Sequence, residues 1–200
     1  KMVGVVGKTG SGKTTLIDII SGLLEPSSGE LKVNERAIEE ISIGAISYIT
    51  QDTILMDDSI INNICFGLQK KNFDKKKFDL ALTVSQLNEF VQELPEKENT
   101  YVGDRGTRVS GGQKQRIGIA RAIYNDSEIL IFDEATSALD YETEKKILNE
   151  ISKLKENKLI IMITHRLNAL KICDDVILLE SGKIKYFGKI DKLKNEIEDF

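Results

Sequence analysis

The chain carries, directly after an apolar run, the stretch Gly7-Lys8-Thr9-Gly10-Ser11-Gly12-Lys13-Thr14, which matches the phosphate-binding pattern GxxxxGK[ST]. The run Met2–Val6 reads as a strand and the run from Thr15 to Ile20 as a helix, which is the context this pattern needs. Glycines let successive N–H groups turn towards an anion, and the helix N-terminus adds its positive end. The alternative is a Gly-rich turn that binds nothing, and the order of strand, pattern and helix argues against it.

These residue types predict a nucleoside triphosphate site. Residues Gly7 to Thr15 would form the phosphate cradle, Lys13 would hold the β and γ phosphates, and the Thr14 hydroxyl would bind Mg²⁺. ATP and Mg²⁺ are therefore the expected cofactors.

A second acidic motif follows a buried-looking strand, Ile129-Leu130-Ile131-Phe132-Asp133-Glu134. In an enzyme with this kind of phosphate loop, the acid at the strand end faces the metal ion, so Asp133 is the predicted metal-side acid, acting through water. Glu134 is the predicted general base that polarises the attacking water. The alternative is that the two acids only end the strand and begin a turn.

Short apolar runs alternate with helical stretches, which is typical of a mostly parallel sheet covered on both faces. We predict an α/β fold of this kind, with a core at residues 1–56 and 126–200 and an inserted helical subdomain at about 57–125, where the sequence is polar, Lys-rich and patterned for helices. The predicted strands are Met2–Val6, Ile46–Ile49, Ile129–Phe132, Leu159–Ile163 and Val176–Leu179.

The composition of the chain argues against several classes of function. The chain has 28 basic and 32 acidic residues and a formal charge of −4, so no broad cationic face for nucleic acid is expected. Cys65 and Cys173 form no zinc or redox pattern, and we expect free, buried thiols. The apolar runs are far shorter than the ~20 residues of a membrane-spanning helix, so no direct membrane insertion is expected. The abrupt apolar start at Met2 suggests a fragment of a longer protein.

Between the two phosphate-site motifs lies Val109-Ser110-Gly111-Gly112-Gln113, which is similar to the LSGGQ signature of the ABC ATPases. A Ser-Gly-Gly turn that opens a helix can bind an anion or can simply cap the helix. The resemblance implies a P-loop NTPase (RecA-like) fold and a composite site. In this family the signature of one subunit, here Ser110, Gly111, Gly112 and Gln113, covers the ATP held by the other, so that two subunits sandwich two ATP molecules head to tail.

Further motifs resemble the same family in the same order, over roughly residues 3 to 187. Gln51 resembles the glutamine that contacts Mg²⁺ and water beside the transmembrane partner. The stretch Ser137-Ala138-Leu139-Asp140 is similar to the loop that crosses to the opposite site. His165, the single histidine, resembles the residue that contacts the γ phosphate.

Details favour an exporter. The stretch Thr100–Gly106 resembles the exporter sequence TEVGERG, with Tyr101 and Asp104 in place of the usual glutamates. The resemblance implies ATP-driven export or flipping, at the cytoplasmic face of the inner membrane, through a transmembrane domain absent from this chain. The residues from Gln51 to Ser59 resemble flippases of lipids and of lipid-linked oligosaccharides, but drug, peptide and toxin exporters have closely similar sequence here, so the cargo stays open.

The family also places antiparallel strands and an adenine-stacking aromatic residue before the phosphate loop. We expect both to be missing from a chain that begins at Lys1, with weaker discrimination of adenine. Two other classes of protein would show different sequence features. A soluble ABC-type ATPase of repair or translation would bring a long coiled coil or tandem domains with basic patches, and a nucleotide sensor often loses the equivalent of Glu134 or His165.

Overall fold

The structure is a computed structural model, and it describes residues 1–33, 35–37, 44–66 and 73–193. The chain forms two compact units. The first contains Lys1–Tyr48, Glu128–Asp133 and the part from Lys155 onwards, and the second contains Ile49–Ser127 and Glu134–Leu154. The domain boundaries expected from the sequence stay a prediction.

The first unit is built on a mixed, mostly parallel sheet. Within the described residues its strands are β1 (Met2–Val6), β4 (Ile46–Ile49), β5 (Ile129–Asp133), β6 (Leu159–Ile163), β7 (Asp175–Glu180) and β8 (Lys183–Gly188). They are ordered β4-β5-β6-β1-β7-β8. β1 pairs in parallel with β6 and β7, β5 pairs in parallel with β6, and β7 and β8 are antiparallel. The predicted α/β class and its mostly parallel sheet are confirmed.

Smaller elements complete the first unit. They are the helices α1 (Lys13–Ile20) and α7 (Leu167–Lys171), the short hairpin of β2 (Lys32–Val33) and β3 (Arg36–Ala37), and a 3₁₀ turn at Ile190–Lys192.

Burial of the central strands explains why their sequences are continuous apolar runs. Val5, Ile131 and Ile163 pack in one cluster with Ile17 of α1 and Leu179 of β7. Each such side chain contributes about 1.5–3 kcal/mol when fully buried. Buried aliphatic side chains thus hold α1 against the sheet.

The edge strand β8 was not predicted from the sequence. Lys183, Ile184 and Lys185 are all exposed, and β8 pairs only with β7 among the described strands. An exposed antiparallel edge strand has no continuous apolar run, so the pattern that identified the buried strands does not mark it.

The second unit is helical, with α2 (Ile60–Ile64), α3 (Lys75–Val84), α4 (Asn88–Glu93), α5 (Gly111–Asn125), α6 (Tyr141–Leu154) and 3₁₀ turns at Lys97–Asn99 and Asp104–Gly106. α3 and α5 pack together through an edge-on pair of rings, Phe78 and Tyr124, whose centroids are 6.5 Å apart. The Asp74 side chain caps α3 by accepting hydrogen bonds from two backbone N–H groups of its first turn. Local capping and ring packing therefore fix the start of α3 beside α5.

Both cysteines are free thiols. Cys173 is buried, and burial raises the pKa of its thiol to about 12. Cys65 is only partly buried, so the expectation of two buried thiols is right for Cys173 alone.

Among the residues described, no helix combines the length and the apolar character needed to cross a bilayer.

Candidate nucleotide-binding site

The phosphate loop of the first unit lies between β1, which ends at Val6, and α1, which begins at Lys13. Gly12 occupies the N-cap of α1 in a left-handed conformation, with φ of 100°, and makes no side-chain cap. The N–H groups of the first helical turn are thus left without a side-chain acceptor, which is the condition an anion site requires.

Gly7 is required by close backbone contact. A Cβ at this position would lie 2.4 Å from the Leu179 carbonyl oxygen and 2.5 Å from Ser11 Oγ. Since the first of these atoms belongs to the backbone of β7, it has no freedom to move aside. The loop is therefore pressed against the neighbouring strand, and glycine is the residue that fits there.

Two side chains of the loop are suited to a phosphate. The Lys13 ammonium donates hydrogen bonds to the carbonyl oxygens of Gly7, at 2.6 Å, and Lys8, at 3.1 Å, so it is held over its own loop. Ser11 Oγ is buried and lacks a hydrogen-bond partner among the described residues. A buried hydroxyl without a partner is costly, and an oxyanion in the loop would supply the missing acceptor. Thr14 and Thr15 are exposed at the start of α1.

The strand register brings three predicted site segments to one edge of the sheet. Val5 is paired with Ile163, and Ile163 is paired with Asp133. The loop after β1, the acid that ends β5 and the segment after β6 that carries His165 therefore leave the sheet at the same level. Ligands of open α/β sheets bind outside the carboxyl ends of the strands, so this edge is the candidate site.

Asp133 has a partner that sequence reasoning missed. Tyr48 on β4 donates a hydrogen bond from Oη to Asp133 Oδ2 at 2.8 Å. Burial first, and then the hydrogen bond to Asp133, raise the pKa of Tyr48, so the phenol keeps its proton. The bond fixes one carboxylate oxygen. The hydrogen bond between Tyr48 and Asp133 can be inferred only when β4 is known to neighbour β5, and no local sequence pattern predicts that strand order.

Glu134, the first residue of the second unit after β5, has an unusual backbone. Its φ is 49°, in the left-handed region that side chains other than glycine rarely adopt. Its carbonyl oxygen accepts a hydrogen bond from Ser137 N at 3.0 Å, which closes a turn. Thr136, two residues further along the same loop, donates from its buried hydroxyl to Glu144 at 2.7 Å. Strained backbone that is held in this way is common at functional sites.

The signature stretch begins α5 in the second unit. Ser110 Oγ accepts from Gln113 N at 3.2 Å, and Gln113 Oε1 accepts from Ser110 N at 2.7 Å, which makes a capping box. A Cβ at Gly112 would lie 3.2 Å from the Ala138 carbonyl oxygen. The Ser-Gly-Gly turn therefore caps the helix, which was the alternative to anion binding. The contact of residues 110–113 with ATP of a second copy stays a prediction.

Gln51 and His165 are both exposed. The Gln51 carbonyl oxygen accepts a hydrogen bond from the buried Gln115 side chain at 3.1 Å. The catalytic roles predicted for Gln51, Glu134 and His165 remain predictions.

Comparison with known proteins gives the family. The family model described as ABC transporter matches residues 1–137 of the 200. A protein of Cupriavidus pinatubonensis named ATP-dependent lipid A-core flippase is 36% identical over 198 residues. The match covers 96% of this chain and 34% of that protein. The protein of the same name from Burkholderia pseudomallei is 40% identical over 192 residues, covering 94% of this chain and 32% of that protein.

A solved structure gives the same result. A bacterial Atm1-family ABC exporter with ATP bound superposes with a TM-score of 0.90 and 31% identity, covering 99% of this chain and 36% of that one. The chain thus spans about a third of the length of the relatives that it matches. The sheet order, the phosphate loop between β1 and α1 and these matches agree, and the chain belongs to the ABC transporter family.

Proposed function

We propose that the chain binds and hydrolyses ATP as the motor domain of an ABC exporter. The observation that carries the proposal is the register of Val5, Ile163 and Asp133, because it supports a single site at the sheet edge formed by the phosphate loop, the metal-side acid and His165. The names of the relatives, lipid A-core flippases and an exporter with ATP bound, support transport of a substrate across a membrane.

In the proposed site the residues Gly7 to Thr15 enclose the triphosphate through backbone N–H groups. The Lys13 ammonium exchanges its two carbonyl partners for phosphate oxygens, and the Ser11 hydroxyl gains an acceptor. Thr14, Gln51 and, through water, Asp133 offer the hard oxygen ligands that Mg²⁺ prefers. Bound Mg²⁺ would neutralise charge that develops on the phosphate oxygens during transfer.

Two side chains have separate roles in the proposed hydrolysis. Glu134 accepts a proton from the water whose oxygen bonds to the γ phosphorus, while the bond from that phosphorus to the β–γ bridging oxygen breaks and ADP leaves. His165 donates a hydrogen bond to the γ phosphate. Tyr48 keeps one Asp133 oxygen fixed, and the other Asp133 oxygen would hold a water of the Mg²⁺ ion.

The proposed active form is a head-to-tail dimer. Ser110, Gly111, Gly112 and Gln113 of a second copy, or of a homologous ATPase domain, complete each site, so that ATP favours the closed pair and hydrolysis reopens it. This cycle biases the two access states of a transmembrane domain, with the chain at the cytoplasmic face of the inner membrane. The helical lobe at about 57–125 and Gln51 form the contact with that domain.

The proposal is tested by phosphate release from Mg-ATP by the intact chain. We expect turnover that requires Mg²⁺ and stops when EDTA is added. The reason is that the metal ion would neutralise the phosphate charge and activate the water. Tight binding of ATP with no phosphate release would favour a nucleotide sensor instead. Absence of both binding and release would contradict the proposal.

A further inference from the structure

Gln115 is a buried polar side chain in the middle of α5, with 4% of its surface exposed. Its Nε2 donates to the Gln51 carbonyl oxygen at 3.1 Å and to Ser137 Oγ at 3.0 Å. Its Oε1 accepts from Ala138 N at 2.9 Å. Both amide N–H donors of the side chain are therefore used, and its amide oxygen also has a partner.

These bonds join three segments that are distant in sequence but belong to the same unit. Gln51 lies 64 residues before Gln115, and Ser137 and Ala138 lie 22 and 23 residues after it. One segment carries the predicted metal-site glutamine, one begins with the signature turn, and one is the loop that follows Glu134. A single side chain thus links parts that the proposed mechanism uses separately.

Two glycines on the same helix show how closely the segments pack. A Cβ at Gly112 would lie 3.2 Å from the Ala138 carbonyl oxygen, and a Cβ at Gly118 would lie 2.6 Å from Thr53 Oγ1. Both glycines are three residues from Gln115, so all three lie on one face of α5. The helix therefore approaches the loop at one end of this face and the Gln51 segment at the other, with the amide between them.

We propose that Gln115 is a positioning residue for ATP hydrolysis. It sets the backbone at Gln51 and the loop at residues 137–138 in one fixed arrangement with α5, and it touches neither nucleotide nor water itself. In a buried network each hydrogen bond is strong and each unpaired group is costly, so losing the amide displaces both segments. The inference rests on the proposed function, since it assigns a role within that ATPase cycle.

The chemistry of the amide permits a sharp choice of variants. Gln115→Met keeps the length and volume of the side chain but removes all three bonds. Gln115→Glu keeps oxygens that can accept from Ala138 N and from the Ser137 hydroxyl, but its carboxylate has no donor for the Gln51 carbonyl oxygen and places a negative charge against it. Gln92→Met, at an exposed glutamine of the same unit, is the matched control.

The measurements are amide hydrogen exchange at Ala138 in the intact chain without nucleotide, and kcat and KM for Mg-ATP. For Gln115→Met we expect exchange at Ala138 to be at least about tenfold faster, because its N–H loses its acceptor. We expect kcat to fall roughly 10- to 100-fold with KM nearly unchanged, since a small misplacement of catalytic segments slows the reaction more than binding. Gln115→Glu should retain protection at Ala138 and still lose kcat.

Several results would overturn the inference. Wild-type kcat in Gln115→Glu or Gln115→Met would do so, as would a raised KM with unchanged kcat, which would indicate a role in binding. If Gln115→Met does not fold, Gln115→Glu and Ser137→Ala decide the matter, and full activity in both would contradict the proposal. Failure of the proposed function itself is distinguishable, because the wild-type chain would then release no phosphate while Ala138 remained protected.

Discussion

Glu134→Gln is expected to lower kcat for Mg-ATP by roughly 10²–10⁴-fold, the usual contribution of a general base, while the affinity for ATP stays the same. Glutamine has the size of glutamate but accepts no proton from water at neutral pH. The turn at Glu134 is defined by its backbone, with φ of 49° and the carbonyl bonded to Ser137 N, and the change leaves the backbone and the side-chain size as they are, so the fold should survive it.

Phosphate release gives kcat, and equilibrium binding gives the affinity for ATP. Both are measured on the same preparation. Glu156→Gln, at an exposed glutamate in the turn after α6, is the matched control and should behave as wild type. A Glu134→Gln chain that turns over ATP at the wild-type rate would remove Glu134 from its proposed role.

Lys13→Ala is expected to raise the Kd for ATP by roughly 10- to 100-fold, which corresponds to about 1.5–3 kcal/mol for hydrogen bonds to a charged group. The ammonium is held at the loop by the carbonyl oxygens of Gly7 and Lys8, so it is already placed where the phosphates would lie. Equilibrium binding of a fluorescent ATP analogue gives the Kd.

Lys13→Ala also removes two hydrogen bonds that the side chain makes to the loop. Thermal unfolding without nucleotide separates this effect, and we expect only a small change in Tm beside the large change in Kd. Lys171→Ala, at an exposed lysine on α7, should bind ATP as wild type does. Unchanged affinity in Lys13→Ala would place the phosphates somewhere other than this loop.

The strands of the mixed sheet other than β8 could be predicted because each of them contains a short apolar run. β1, β4 and β6 have the bounds expected from their apolar runs, and β5 and β7 are longer only at their ends. α1 begins at Lys13, two residues before the expected start at Thr15, because the loop ends directly in the first helical turn. Continuous apolar sequence identifies such elements without knowledge of the neighbouring strands.

Contacts between distant segments could not be predicted in the same way. Gln115 lies in the polar run Gln113-Lys114-Gln115-Arg116, whose composition is typical of an exposed stretch of helix. Its side chain is nevertheless buried, and it is hydrogen-bonded to residues 64 positions earlier and 22 positions later. The bond from Tyr48 to Asp133 depends equally on strand order. The roles of Gln51, His165 and Ser110 came from family resemblance, since a residue's own type and spacing do not reveal a partner on a second copy.

The most direct test of the composite site is sedimentation velocity of the Glu134→Gln chain with and without Mg-ATP. We predict a monomer without nucleotide and a dimer with it. Ser110→Asp in the same background should abolish the dimer, because aspartate still caps α5 but places a negative charge against the γ phosphate. A chain that binds Mg-ATP and stays monomeric, or a dimer that tolerates Ser110→Asp, would contradict the account.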